Sequence, residues 1–564
     1  MSAQNTAAQE VVAGVDGAVL MRHCEEFAKR VKLSGTPEEK ESFLYLQQCM
    51  ESYGYRTELI EHDAYISLPG AARVDADGVA YKSITHSFSR PSSAGGLTAP
   101  LVDLGDGGPQ DFARADCRHK IVLVNGIASP AVAARASAAG AAGQLHVSPH
   151  EHLHEMCISP VWGSPSDETL GEMPTTVACT ISDADGAALR RALAKSPGLQ
   201  VTLHAEVDTG WRKTPLLVAE IDGPTGADSP FVLLSGHHDT WYFGVMDNGS
   251  ANATMLEAAR LLATDVKAWR RGLRVCFWSG HSHGRYSGSQ WYVDHHWHDL
   301  DRRCVAHVNV DSTGGTGAVL MGENGVVSSL LELASAVTRA ETGQNHAGKR
   351  PSRSSDQSFW GIGIPSMYGS VSHQPPGAVK MRNPLGWWWH TPHDLLDKID
   401  PDFLVRDTRV VLHTLWRLLT DKVLPIDPAA ELDSLRTELM AINKANPTFA
   451  MTTLIKAVDK AAEAAEKLKA ARPTDDAACE AVNAALIRIS RALVPLDYTE
   501  GDRFRHDPAL PQAPWPVLDG LRKLATAEPG SDRAKFHAVS AARAHNRVLH
   551  ALEQAARAAR AISP

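Results

Sequence analysis

The sequence predicts an α/β protein: a doubly wound, mostly parallel sheet with helices on both faces, an inserted β/α domain and a C-terminal helical domain. Three observations lead there. From residue 215, the short apolar runs PLLVAEIDG, FVLLSGHHD, LRVCFWSG and CVAHVNVDS surround a helical stretch, SANATMLEAARLLATDV, at 250–266. Strands buried on both faces read as continuous apolar runs and alternate with covering helices. Upstream, KIVLVNG (120–126), the small-residue stretch PAVAARASAAGAAG (130–143), MPTTVACTIS (173–182) and DGAALRRALA (185–194) repeat the strand-then-helix rhythm. Beyond Pro425, Ala, Leu, Lys, Arg and Glu dominate, in helical segments at 452–472, 476–493 and 533–561.

The remaining elements follow in order. Residues 18–56 read as helix, with apolar positions three to four residues apart and Gly54 ending the pattern. A polar, Gly- and Pro-rich region follows to about residue 115. The boundaries this gives are 1–65 for the N-terminal part of the catalytic domain, 66–204 for the insert, 205–424 for the catalytic domain and 425–564 for the helical domain. A chain of 564 residues needs several such domains.

Composition narrows the function classes. The 43% apolar and 21% charged residues are the balance of a soluble globular protein. The net charge of −9, with dispersed basic residues, argues against a nucleic-acid or membrane-surface binder. No 18-residue apolar run suggests a membrane span. The N-terminal stretch has no basic start followed by a long apolar segment, so no signal peptide and a cytoplasmic location are expected. The eight scattered cysteines, without a CxxC pair, fit reduced thiols.

In open α/β sheets, ligands bind beyond the carboxyl ends of the strands. Four segments deliver His or Asp to that edge. After FVLLSG come His237, His238 and Asp239, then Asp247-Asn248-Gly249; after VCFWSG come His281, Ser282 and His283; after VAHVNV comes Asp311; and WWWHTPHD supplies His390, His393 and Asp394. Each has an ordinary explanation alone, such as a helix cap at Asp247-Asn248 or a turn at Asp311. Together they suggest a divalent metal, because imidazole and carboxylate suit zinc and its neighbours.

This order of motifs resembles the co-catalytic zinc aminopeptidase family, which includes glutamate carboxypeptidase and the transferrin receptor. GSQWYV (288–293) and SDQSFWGIGIPSM (355–367) match family blocks outside the ligands. The resemblance implies a zinc-aminopeptidase-like fold, a protease-associated domain at 66–204 and a helical dimerisation domain at 425–564, hence a homodimer. It implies one or two Zn2+ ions: His237, Asp247 and Asp311 on the first, and Asp247 bridging to a second that also takes His390. Asp239 would orient His237.

The chain departs from the family at two places. Where the peptidases carry two adjacent glutamates, one the general base and one a ligand of the second metal, this chain has His281-Ser282, in a loop one residue longer. Trp389 stands where a tyrosine often precedes the last histidine. Imidazole can serve as ligand or as base. His281 is therefore a replacement for one of the two glutamates, and His283 is the second candidate. Arg285 and Tyr286 are candidate substrate contacts, since Arg can fork a carboxylate. His150, His152 and His154 are read as a loop over the site, and residues 373–389 as a pocket-lining loop. The resulting expectation is a metal-dependent hydrolase of an amide or peptide C–N bond in a small or peptide-like substrate. The alternatives are a metal-dependent lyase on the same scaffold and a non-catalytic, receptor-like binding protein.

Overall fold

In the computed structural model, which describes residues 3–377, 384–445, 451–471 and 473–562, the catalytic half is organised by four parallel strands. Gly325–Val326, Ser366–Ser370, Cys304–Asp311, Phe231–His237, Gly272–Trp278 and Gln200–Ile221 lie side by side in that order. The middle four are parallel. Gln200–Ile221 and Gly325–Val326 run antiparallel to their neighbours. The Phe231–His237 and Gly272–Trp278 strands are buried at every residue, which is why their sequences show no alternation. Helix Ala251–Leu262 and the amphipathic helix Pro401–Thr420 pack on the sheet through Met255, Leu256, Val411 and Leu415.

Register decides what reaches the functional edge. His237 ends its strand opposite Trp278, and Asp311 ends its strand opposite Ser370. The loops that follow therefore leave the sheet on one side.

The segment after Gly54 differs from its expected loop character. Arg56–Ala76 is a 21-residue strand, antiparallel to the 22-residue strand Gln200–Ile221. Much of this ribbon is solvated, and a register shift lies between Pro69 and Ala72. Its polar content and its Pro-Gly pair mask the strand signal. The ribbon leads into a second sheet, in which Leu97–Asp103, Ile121–Asn125, Gly143–Val147 and Val177–Ile181 are parallel. That sheet has its own apolar cluster, including Val74, Ile121, Leu123, Leu145, Ile181 and Leu203. The single helix expected at 18–56 is two, Gly17–Phe27 and Pro37–Ser52, because Asp16 and Thr36 each cap a new start and Pro37 begins the second.

The C-terminal helices Pro428–Ala445, Thr452–Ala470, Asp476–Tyr498, Asp519–Thr526 and Asp532–Arg560 bury their apolar faces within the chain. Leu435, Leu439, Leu454, Val458, Leu486, Ile489, Leu493, Val548 and Leu552 are all inaccessible. Other apolar side chains of this segment, Met440, Phe536 and Val539, stay exposed. Among the described residues no helix is long and apolar enough to cross a membrane.

Arg491 fastens this helical segment to the sheet. Its guanidinium donates to the carbonyls of Leu300, Asp301, Cys304 and Gly363. Burial pulls its pKa down to about 10, so it stays charged at neutral pH. Arg491→Met should leave these carbonyls unpaired and cost roughly 3 kcal/mol, read as a lower thermal midpoint. A midpoint within a degree of the parent would contradict this clamp.

Candidate metal centre

The site forms where the strand ends meet. His237 is held by its own loop: Nδ1 donates to the Asp239 carbonyl at 2.9 Å, which leaves Nε2 as the inward nitrogen. Nε2 lies 3.1 Å from Asp247 Oδ1 and 3.7 Å from Asp311 Oδ1. Asp247 Oδ2 lies 2.9 Å from His390 Nε2. His390 is oriented in the same way, with Nδ1 donating to the Glu155 carbonyl at 2.7 Å. The two oxygens of Asp247 thus face two different imidazoles.

The backbone that presents these groups is heavily braced. The Asp394 carboxylate accepts the amides of Met246 and Asp247 at 2.9 and 3.0 Å. Asn248 donates to the carbonyls of His237 and Val310 and accepts the Ser312 amide, joining three segments of the site. The Asp247–Asn248 peptide bond is cis, and His390, Tyr242, Arg285, Tyr286 and Ser312 all have positive φ. A positive φ is costly for non-glycine residues and persists where surrounding contacts over-determine it.

The electrostatics call for a cation. His237 Nε2 and Asp247 Oδ1 are buried, and neither makes a hydrogen bond despite their proximity. Burial works to lower the His237 pKa, but the carboxylates of Asp247 and Asp311 overcome it and hold the pKa well above the usual histidine value. The ligand atoms of His237, His281 and Asp311 all fall within 4.8 Å of one another. Without an ion, a proton on His237 offsets the carboxylates; Zn2+ or a similar ion would displace that proton and take the imidazole and carboxylate lone pairs. The histidines already carry the carbonyl partners that metal-binding imidazoles use.

The remaining sequence candidates separate clearly. His281 lines the cavity, stacked on His237 with ring centroids 3.7 Å apart, and its Nδ1 is 2.8 Å from Asp356 Oδ2. Asp239 does not orient His237 with its carboxylate, because the carbonyl does that. Its carboxylate accepts the amides of His281 and Ser282 at 3.1 and 2.8 Å and the Ser34 hydroxyl at 2.8 Å. It therefore shapes the 281–282 loop. His283 is fully buried behind Asp239, beside Ser34 and Trp241, and does not line the cavity.

Arg285, Tyr286 and Trp389 line the same cavity, of about 730 Å³, with Trp389 stacked on His390 at 3.5 Å. His154 does not line it. It is buried against the Trp389 carbonyl and His150, and so supports the His390 loop from behind. His152 stacks on Trp387 and also contacts His393, away from the cluster. His373, Pro384 and Leu385 of the expected pocket loop do line the cavity, while residues 378–383 lie outside the described residues. Asp356 was missed by sequence reasoning. Its only signal was a carboxylate among hydroxyls in SSDQSFW.

Residues 217–415 match the model of peptidase family M28. That span contains His237, Asp247, Asp311 and His390. Its sequence relatives include the probable glutamate carboxypeptidase VP8 of Zea mays, 25% identical over 248 residues, 39% of this chain and 33% of that protein. Aminopeptidase YwaD of Bacillus subtilis is 27% identical over 288 residues, 50% of this chain and 58% of that protein. The chain thus spans about a third of the maize relative's length and somewhat over half of the bacterial one's. Among solved structures, an M28 peptidase precursor from Shewanella amazonensis aligns at TM-score 0.59 and 19% identity, over 75% of this chain and 98% of that one. The zinc aminopeptidase from Bacillus subtilis aligns at TM-score 0.56 and 22% identity, over 72% of this chain and 96% of that one. These likenesses establish the zinc-aminopeptidase fold of the M28 domain and its sheet.

If the M28 strand-end cluster is the metal centre, protein purified without chelator should carry at least one equivalent of zinc or a similar ion. His237→Ala should lower that content to under a tenth of an equivalent, by elemental analysis. Undiminished metal in His237→Ala would place the ion elsewhere.

Proposed function

We propose that the protein is a zinc-dependent hydrolase of an amide or peptide C–N bond in a small or peptide-like substrate. One observation carries this reading: a buried imidazole nitrogen and a carboxylate oxygen that face each other without a hydrogen bond, at the floor of an open cavity. A protein that merely binds ligands has no physical need to keep Asp247 and His237 buried together beside Asp311, so the receptor-like alternative is the weaker one. The M28 match and the relatives' names support peptide hydrolysis over elimination.

Residues 205–424 form the catalytic unit in this reading. His237, Asp247, Asp311 and His390 would hold zinc, which supplies Lewis acidity to polarise a carbonyl and acidify water. His281 takes the place of the usual glutamate as proton acceptor. Its loop is set by Asp239, and it opens onto the cavity where water and substrate meet. Arg285, whose Nε makes no hydrogen bond, is placed to receive a substrate carboxylate, with Tyr286 and Trp389 forming apolar walls.

Amino-acid anilides should be poor substrates, because the carboxylate base and the oxyanion tyrosine are both replaced. Such groups typically contribute about a hundredfold or more each. A search of dipeptides and N-acyl amino acids should yield a better substrate, and on it His281→Gln should lower kcat about a hundredfold or more. Full kcat in His281→Gln would remove this histidine from the chemistry.

A further inference from the structure

We propose that Asp356 is the positioning residue that makes His281 a proton acceptor and keeps it from serving as a zinc ligand. The inference rests on the hydrolase reading above and adds a residue and a division of labour to it.

Asp356 is fully buried, and its two oxygens have separate tasks. Oδ2 lies 2.8 Å from His281 Nδ1, and Oδ1 accepts the Ser289 hydroxyl at 2.9 Å. Ser289 is in turn 2.9 Å from the Ser358 hydroxyl. An ionised carboxylate can only accept, so the shared proton belongs to His281 Nδ1 and the lone pair to Nε2. The carboxylate also stabilises the imidazolium that forms when Nε2 takes a proton.

The ring stack decides between base and ligand. His237 and His281 lie at 13° to each other with centroids 3.7 Å apart. An imidazole ligates along a lone pair in its own ring plane. Stacked rings direct their lone pairs side by side rather than at one point, so His237 would hold zinc with Asp247 and Asp311, while His281, although its ligand atom lies in the same neighbourhood, would be left to take a proton through Nε2. In the reaction, an O–H bond of water breaks and its proton passes to His281 Nε2 as the oxygen bonds to the carbonyl carbon. The imidazolium then returns the proton to the leaving nitrogen as the C–N bond breaks.

The test compares Asp356→Asn, Asp356→Glu and Ser289→Ala with the parent, all zinc-loaded and all checked for folding by circular dichroism. The expected result for Asp356→Asn is unchanged metal content and KM, with kcat lower by about a hundredfold or more. Asp356→Glu should restore part of the loss, and Ser289→Ala should show a smaller loss of the same kind. In 15N spectra of histidine-labelled protein, with His281 assigned by its absence in His281→Gln, the parent ring should carry its proton on Nδ1 and an unligated Nε2. Loss of metal in Asp356→Asn, a metal-bound Nε2, or full kcat in Asp356→Asn would each overturn the proposal. If no amide substrate is turned over by the parent, the hydrolase reading fails. The tautomer and metal readouts still decide the placement of Asp356, with Nδ1 protonation supporting it and Nε2 protonation overturning it.

Discussion

The buried Asp247 and His237 and the partly buried Asp311 meet at the sheet edge, and much of the molecule serves that arrangement. Acids cannot be kept together in a dry interior without a compensating positive charge. Here the His237 imidazole supplies it, its pKa held up by the two carboxylates against the pull of burial. The same geometry is what a divalent cation needs. Asp394, Asn248 and the carbonyls of Asp239 and Glu155 fix the backbone and the imidazoles, so that the inward atoms face one another rather than other partners.

The segment after the Gly272–Trp278 strand builds much of the cavity wall beside the cluster. His281 comes with a paired acid, Asp356, which the strand-end motifs did not suggest, and with a loop held by the Asp239 carboxylate. The loop turns His283 into the core and brings Arg285 and Tyr286, both with positive φ, to the cavity wall. The cavity that results is enclosed by distant segments: Met156 and Cys157 from the second sheet's side, Ser355 and Gln357 from the loop before the last strand, and Ala509 and Pro511 from the helical region. The helical segment is therefore part of the pocket as well as a support clamped by Arg491.

The sequence by itself determined the parallel sheet and the placement of His237, Asp247, Asp311 and His390 at its functional edge. These are local facts: a run such as FVLLSG fixes a buried strand, and a residue directly after it can only emerge at that strand's end. It did not reveal the long ribbon Arg56–Ala76, whose solvated face hides its periodicity. Nor did it show which atom of Asp239 holds His237, where the 281–286 loop turns, or that Asp356 pairs with His281. Those contacts join residues 75 positions apart, or hang on one added residue in a turn. Hydrogen bonds of that kind are set by how packed elements meet, so only the tertiary structure decided them.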